Sequence, residues 1–322
     1  MRIDVHTHFL SEKMARVLER RSHFPYTRFV DGTYHFHCCQ GLSVPMAPPA
    51  HDMQRKLADM DSAGIDVAIL SLGIPGPELL GGAEADELAK MVNDLLAEII
   101  VQHPNRFWGY ATLGFGDIDA SLKELDRCFS TLKFRGLQLF SNLNGKPLDA
   151  PEFRPIFARM AELKRPIFIH PTVPLNQNYL MDLVPAPVLA FMVDNTLAAM
   201  RLALSGVLAE YAAASIIIPH VGATVPYLMA RLDGMLESFG GPGAMKEPSR
   251  LLKKLYMDTV AYRPEPLQWC FSLMGASQLV LGTDHPYGSW RRPIQFLDEL
   301  SCTDSEREQM LHGNAERLFP PW

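Results

Sequence analysis

The sequence has few cysteines, no long apolar run and no strong excess of either charge. Cysteine occurs only five times in 322 residues, at scattered positions, so no disulfide framework is expected and a reducing cytoplasm fits best. The most apolar stretch, LVPAPVLAFMV at 183–193, is too short to span a bilayer and contains two prolines. Arg2 and Asp4 stand where a signal peptide would need apolar residues. These absences predict a cytoplasmic protein with no membrane partner.

The charge balance excludes a second class of partner. The chain has 30 Lys and Arg against 36 Asp and Glu, which gives a net charge of -6. Nothing in this balance favours binding to nucleic acid or to an anionic membrane surface. Hydrophobic residues make up 48% and charged residues 20%, as is typical of a folded globular enzyme.

Short apolar runs alternate with longer amphipathic segments along the whole chain. Eight of these runs predict strands, and a helical pattern follows each of them. The predicted strands are RIDVH (2–6), DVAILSL (66–72), WGYATL (108–113), GLQLF (136–140), PIFIH (166–170), SIIIPH (215–220), LYMD (255–258) and LVLGTD (279–284). A doubly wound sheet would also alternate, but eight evenly distributed units favour a closed α/β (β/α)8 TIM barrel. We expect one domain over residues 1–322.

One connection interrupts this rhythm. Residues 9–50 separate the first strand from its helix by about forty residues, far more than a typical connection. Within them, YTRFVDGTYHFHCC alternates polar and apolar residues around Asp31-Gly32, a favourable hairpin turn pair. The pattern predicts a small insertion of two or three strands, placed over the active face because it follows a strand.

Residues able to bind a metal or transfer a proton stand at the ends of four predicted strands. His6 and His8 end the first strand, His170 the fifth, His220 the sixth and Asp284 the eighth. The carboxyl ends of barrel strands share one face, so these side chains are expected to lie together. A single histidine there could simply cap its strand. The set is better explained as a site for a divalent ion such as Zn²⁺, since imidazoles and a carboxylate are suitable ligands.

The order of these motifs resembles that of the amidohydrolase superfamily. HTH, FIHPT, PHVGATVPYLMARLD and LGTDHPYG look like the branch of aminocarboxymuconate semialdehyde decarboxylase and related metal-dependent decarboxylases, and the resemblance extends from Arg2 to the terminal GNAERLF. It implies that His6, His8, His170 and Asp284 bind one catalytic metal ion, commonly zinc, with manganese possible. It also implies that His220 acts on a metal-bound water, that Asp284 can pass a proton, and that the chain forms a homodimer or higher homo-oligomer.

The lack of a lysine at the end of the fourth predicted strand supports a site with one metal ion. Superfamily members with two metals carry a bridging lysine at the end of the fourth strand, where this chain reads RGLQLFSN with Gln138. The single-metal interpretation agrees with the decarboxylase branch.

A carboxylate substrate needs a cation. Arg231 matches an arginine that holds the substrate carboxylate in relatives, in some cases across a dimer interface. Arg263 and Arg291 are further candidates in loops after the seventh and eighth strands, and Phe191 lies near an aromatic position that relatives use. The segment that carries a second substrate arginine in the family reads CCQGLSVPMAPPAHD here and has none. This departure predicts a small substrate with fewer or differently placed carboxylates.

The motifs leave the reaction open between related chemistries. A divalent ion lowers the pKa of bound water from 15.7 to about 7, and His220 is the natural proton carrier beside it. That arrangement serves a non-oxidative decarboxylase of a small unsaturated or aromatic acid, as the resemblance implies. It also serves a hydrolase of a lactone, amide or carbon–carbon bond, or a hydratase. A barrel that binds metal without catalysis is disfavoured by the complete set of residues.

Overall fold

A closed parallel barrel forms the centre of the molecule. The computed structural model describes residues 1–177, 179–241 and 243–322. Within them, eight strands form one parallel sheet in chain order, and a bridge between Thr7 and His285 joins the segment that follows the last strand to the first strand. With strands numbered along the chain, the barrel contains β1 (Ile3–Phe9), β5 (Val67–Leu72), β6 (Phe107–Ala111), β7 (Gly136–Phe140), β10 (Ile167–His170), β11 (Ile216–Ile218), β12 (Tyr256–Asp258) and β13 (Leu279–Val280). The predicted TIM barrel is confirmed.

Helices surround the barrel on its outer side. Their apolar faces pack on the outward residues of the strands, while a second set of apolar residues, among them Ile3, Tyr110 and Phe168, fills the barrel interior. The longer helices are Glu12–Glu19, Met53–Ala63, Gly82–Gln102, Ile118–Ser130, Arg154–Leu163, Ala190–Leu204, Val225–Phe239, Pro264–Met274 and Arg291–Glu299. Shorter helical turns are Pro48–His51, Pro77–Leu79, Pro151–Phe153, Ala186–Val188, Val207–Glu210, Pro219–Gly222, Ser249–Leu252, Ala276–Gln278, Asp304–Glu308, Gln309–Gly313 and Asn314–Leu318.

The insertion after β1 contains a three-stranded antiparallel sheet of β2 (Tyr26–Val30), β3 (Thr33–Cys39) and β4 (Leu42–Pro45). Its first hairpin turns at Asp31-Gly32, where both residues have positive φ, as the turn pair predicts. The helix Glu12–Glu19 precedes the sheet and was not predicted. Its signal is local: Ser11 caps it by accepting from the Lys13 amide. A second two-stranded sheet, β8 (Asn142–Leu143) with β9 (Lys146–Pro147), follows β7.

Two predicted strands end earlier than the apolar pattern suggests. β11 stops at Ile218 and β13 at Val280, whereas the runs continue to 220 and 284. The reason is conformational, since His220 and Asp284 both have positive φ (58° and 60°), which a strand cannot accommodate. These departures from the sheet turn both side chains toward the barrel axis. No helix in the described part of the chain combines the length and apolarity that a bilayer span requires.

Candidate metal centre and active site

Three histidines and one aspartate converge at the carboxyl ends of the barrel strands. His6 and His8 are two residues apart on β1 and therefore point the same way, while His170 ends β10 and Asp284 follows β13. One ligand atom from each lies within 4.8 Å of the others. His8 Nε2 is 3.1 Å from His6 Nε2 and 3.1 Å from Asp284 Oδ1. The structure thus brings together the four predicted metal ligands.

The hydrogen bonds of two imidazoles show which of their nitrogens carry the proton. His170 Nδ1 is 2.6 Å from the carbonyl oxygen of Pro171, which can only accept, so Nδ1 donates. His6 Nδ1 is 2.6 Å from the Asp258 carboxylate, which also accepts. In the neutral form of each imidazole, Nε2 then has a lone pair for a metal ion, an arrangement that is typical of metal-binding histidines.

The hydrogen bonds of Ser71 show which nitrogen of His8 carries the proton. Ser71 Oγ donates to the carbonyl oxygen of Thr7 at 3.1 Å, so its lone pair is the acceptor for His8 Nδ1 at 3.0 Å. All three Nε2 lone pairs then face one another and the Asp284 carboxylate. Such a cluster of donors is repulsive without a positive charge at its centre, and three imidazole nitrogens with one carboxylate fit a divalent ion.

The charges around the cluster set the protonation of each ligand. Burial lowers the pKa of His6, but the carboxylates of Asp284 and Asp258 outweigh it and raise the pKa to about 10. Burial lowers the pKa of His8 to about 4 and that of His170 well below its ordinary value. Burial acts to raise the pKa of Asp284, but the surrounding imidazoles, His6 first, hold it well below its usual range. The raised pKa of His6 indicates that, in metal-free protein at neutral pH, its Nε2 also carries a proton, which faces Asp284 Oδ1 at 3.3 Å.

We expect metal binding near neutral pH to release one proton per ion. The ion needs the His6 lone pair and must displace its proton, whereas His8 and His170 are already neutral. The apparent affinity then rises about tenfold per pH unit as long as the pH stays below the His6 pKa. Titration calorimetry of metal-stripped protein in buffers of different ionisation enthalpy counts the protons. Release of no proton, or of three, would contradict this assignment.

Strained backbone places the remaining polar group at the site. His220 and Val221 both adopt the left-handed conformation (φ 58° and 56°), which is rare for a β-branched residue. Asp258 Oδ1 accepts from the backbone amides of Val221 and Val260 at 3.2 and 3.0 Å, while its other oxygen holds His6. Asp258 therefore fastens the His220 turn to His6, one of the predicted metal ligands. Strain that is held in this way is common at functional sites.

His220 lies beside the cluster without completing it. Its Nε2 is 3.6 Å from Asp284 Oδ2, while Asp284 Oδ1 faces His6 and His8. Its Nδ1 is buried and has no hydrogen-bond partner among the residues that the structure describes. The proton of a neutral His220 imidazole therefore belongs on Nε2, the nitrogen that faces Asp284. The two groups can exchange a proton after a small movement.

A cavity of about 920 Å³ opens above this cluster. His8, His170, His220 and Asp284 line its polar end. Its mostly apolar walls come mainly from residues 41–45, 185–192 and 260–270. Their side chains include Leu42, Val44, Pro187, Val188, Met192, Val260 and Trp269. A cavity of this size holds a small organic ligand.

The structure separates the predicted substrate-binding residues into two groups. Arg263 and Phe191 line the cavity. Among the residues that the structure describes, Arg263 is the only lysine or arginine in the cavity wall. Arg231, on the helix Val225–Phe239, and Arg291 are exposed and do not line the cavity of a single chain. Tyr287 also lines it and was not predicted, although it stands three residues after Asp284 in the same motif.

Comparison with known proteins identifies the family. The model of the amidohydrolase family matches residues 3–320. The chain belongs to the amidohydrolase family. This amidohydrolase is 30% identical to a gamma-resorcylate decarboxylase from Rhizobium over 298 residues, which cover 83% of this chain and 89% of the relative. It is 24% identical to the 2-amino-3-carboxymuconate-6-semialdehyde decarboxylase of Dictyostelium discoideum, over 98% of this chain and 90% of the relative. The predicted resemblance is confirmed.

A solved structure extends the comparison to the metal. A dihydroxybenzoic acid decarboxylase from Polaromonas, with bound manganese and the inhibitor 2-nitroresorcinol, superimposes on this amidohydrolase with a TM-score of 0.82. The two are 26% identical, and the match covers 99% of this chain and 96% of that chain. Together with the donor set described above, this likeness supports a divalent metal in this amidohydrolase.

Proposed function

We propose that this amidohydrolase is a metal-dependent, non-oxidative decarboxylase of a small aromatic carboxylic acid. The observation that carries the proposal is the convergence of four ligand atoms within 4.8 Å beside His220, at the polar end of a mostly apolar cavity. The relatives favour decarboxylation over the hydrolase and hydratase alternatives, since those described above are decarboxylases, and two of them act on dihydroxybenzoates.

His6, His8, His170 and Asp284 are the proposed ligands of a single ion. Gln138 supports one ion rather than two, because its Nε2 donates to the Leu72 carbonyl oxygen at 2.9 Å and an amide cannot bridge metals as a modified lysine does. Three imidazoles and a carboxylate favour zinc, and manganese is the alternative that the Polaromonas relative supports. Elemental analysis of the purified protein distinguishes them. When bound, the ion stabilises negative charge on substrate oxygens as a Lewis acid.

Decarboxylation requires a proton at the ring carbon that carries the carboxylate. The ring supplies the electron pair for the new carbon–hydrogen bond; the bond to the carboxylate then breaks, its electrons restore the ring, and carbon dioxide leaves. One proton is consumed and no oxidant is needed. We propose that the imidazolium form of His220 passes this proton to the substrate through Asp284 and regains it from water, since Nε2 of His220 faces Asp284 Oδ2 at 3.6 Å and both side chains face the cavity. Asp258 holds His6 and the His220 turn in place for this transfer.

The walls of the cavity define the substrate further. A second carboxylate on the substrate would meet the partly buried apolar side chains of Val44 and Met192, where burial of an unpaired charge is unfavourable. We propose an aromatic acid with one carboxylate and an apolar ring substituent that contacts these walls, while Arg263 attracts the anion. Residues 9–50 contribute β4 to this wall and act as the cover of the active face within one domain, 1–322.

The proposed function is tested by the products. Metal-loaded protein is incubated in ¹⁸O-labelled water with 2,6-dihydroxybenzoate and with salicylates that carry hydrogen, methyl or propyl at one ring position. We expect carbon dioxide release without ¹⁸O in the organic product. Label in that product without carbon dioxide would support a hydrolase or hydratase instead.

The same series tests the apolar wall. We expect kcat/KM to rise about fourfold for each added CH2, the equivalent of about 0.8 kcal/mol of buried surface. A carboxylate at the same ring position is expected to lower kcat/KM. Val44→Thr, which keeps the shape and adds a hydroxyl, reduces the gain from the alkyl group but leaves activity on the unsubstituted acid. Equal kcat/KM for the alkyl and the dicarboxylate compounds would overturn the proposed substrate class.

We also propose a cytoplasmic homodimer. The helix that carries Arg231 exposes two large side chains, Tyr227 and Phe239, which are 71% and 80% exposed in a single chain. Contact between copies through this face would cover them and bring Arg231 toward a partner's cavity. Light scattering of the purified protein measures the oligomeric state.

A further inference from the structure

A lysine is fully buried behind the metal centre. Lys56 lies on the helix Met53–Ala63 with no exposed surface, and the proposed reaction makes no use of it. Burial of an ammonium group is costly unless it is hydrogen-bonded. Burial still lowers the pKa of Lys56 to about 7. Its Nζ is 3.1 Å from His285 Nδ1 and 3.3 Å from Thr7 Oγ1, and an amino group can donate to both partners in either protonation state.

The hydrogen bonds around Lys56 show which group donates in each contact. Thr7 Oγ1 donates to the His285 carbonyl oxygen at 3.0 Å, which leaves the hydroxyl oxygen to accept from Lys56. His285 Nε2 is 3.2 Å from the Asp59 carboxylate and must donate to it, so Nδ1 accepts from Lys56. The ring of His285 is also packed on Trp290, with centroids 4.0 Å apart. The network fixes the orientation of both Thr7 and His285.

These two partners are the chain neighbours of the proposed ligands. Thr7 stands between His6 and His8, and His285 directly follows Asp284. The His8 amide donates to the His285 carbonyl oxygen at 2.8 Å, at the point where the first and last parts of the barrel meet. Lys56 thus joins the two segments that carry three of the four ligands.

We propose that Lys56 is a positioning residue for the metal centre, which holds the segment of His6 and His8 at a fixed distance from Asp284 through Thr7 and His285. The proposal rests on the proposed function, because it assumes the metal site described there. A lysine with only a structural role would change the stability of the fold and leave the metal affinity of folded protein unaltered.

The test compares metal affinity and thermal stability in three variants. Lys56→Met removes the donor and keeps the apolar stem. Thr7→Val removes one partner and keeps the shape. Arg165→Met is the matched control, since Arg165 is also a buried cation, stacks on Trp322 at 4.2 Å and precedes β10 at the opposite end of the barrel. Metal-stripped protein is titrated with Mn²⁺, and free Mn²⁺ is counted by its electron spin resonance.

We expect Lys56→Met to weaken Mn²⁺ binding by about 10- to 100-fold, as is typical of groups that orient metal ligands. Thr7→Val weakens it by a smaller factor, and the double variant is no worse than Lys56→Met, because both act through one network. Arg165→Met lowers the melting temperature and leaves the Mn²⁺ dissociation constant within about twofold of wild type.

The outcomes separate the two proposals. Wild-type protein that neither binds Mn²⁺ nor releases carbon dioxide would refute the proposed function itself. Wild-type binding together with unaltered affinity in Lys56→Met would refute the positioning role alone. If Lys56→Met does not fold, Thr7→Val decides: wild-type affinity in that variant overturns the proposal, and weaker binding supports it.

Discussion

Replacement of His220 by asparagine is expected to abolish carbon dioxide release and to leave the metal content unchanged. The imidazole belongs to the proposed proton-transfer pair with Asp284, but its Nε2 is not one of the four clustered ligand atoms. Loss of a positioned acid or base lowers kcat by about a hundred- to ten-thousand-fold. Asparagine is chosen because it tolerates the left-handed backbone at this position better than alanine does (φ 58°).

The matched control is His51→Asn, which changes an exposed histidine at the end of a short helical turn. Its kcat and metal content are expected to equal those of wild type. Metal-loaded His220→Asn that keeps more than about a tenth of the wild-type kcat would remove His220 from the proton transfer.

Replacement of His170 by alanine has the largest expected effect on metal binding. The side chain is buried, and its Nδ1 hydrogen bond to Pro171 aims the other nitrogen at His6, His8 and Asp284. Without it, only three ligands remain, and we expect the metal content of purified protein to fall from one ion per chain to a small fraction, with activity at background. The stabilisation that bound metal gives to the folded state is lost as well.

Elemental analysis and melting curves with and without added metal measure both effects. His103→Ala, outside the cluster, is the control and keeps the metal. If His170→Ala retained one ion per chain, the proposed ligand set would be wrong, whatever the activity of the variant.

The positions of the proposed metal ligands could be predicted because they depend on short-range patterns. A few consecutive apolar residues are enough to predict a strand. Because a barrel places the carboxyl ends of all its strands on one face, a residue at the end of a predicted strand is expected at that face, as His6, His170 and Asp284 are. The Asp31-Gly32 turn is local in the same sense. The helix Glu12–Glu19 had a local signal as well, in its cap at Ser11, and was overlooked.

The supporting residues depend on contacts that no local pattern contains. Ser71 assigns the proton of His8 from another strand, and Lys56 reaches His285 across 229 positions of the chain. Which of the candidate arginines lines the cavity depends on the paths of the loops in the folded chain. The sequence alone therefore does not show that Arg263 lines it whereas Arg231 and Arg291 do not. The left-handed turn at His220 is held by a hydrogen bond from the Val221 amide to Asp258, a residue 37 positions further along the chain.

The joining of the first and last barrel segments has a consequence for how the protein matures. His8 and Asp284 are in contact although they stand 276 positions apart. During synthesis, the histidines of β1 are made early, whereas Asp284 is made only when nearly the whole chain has been synthesised. In the proposed site, an ion can therefore be held by all four ligands only after the barrel is complete.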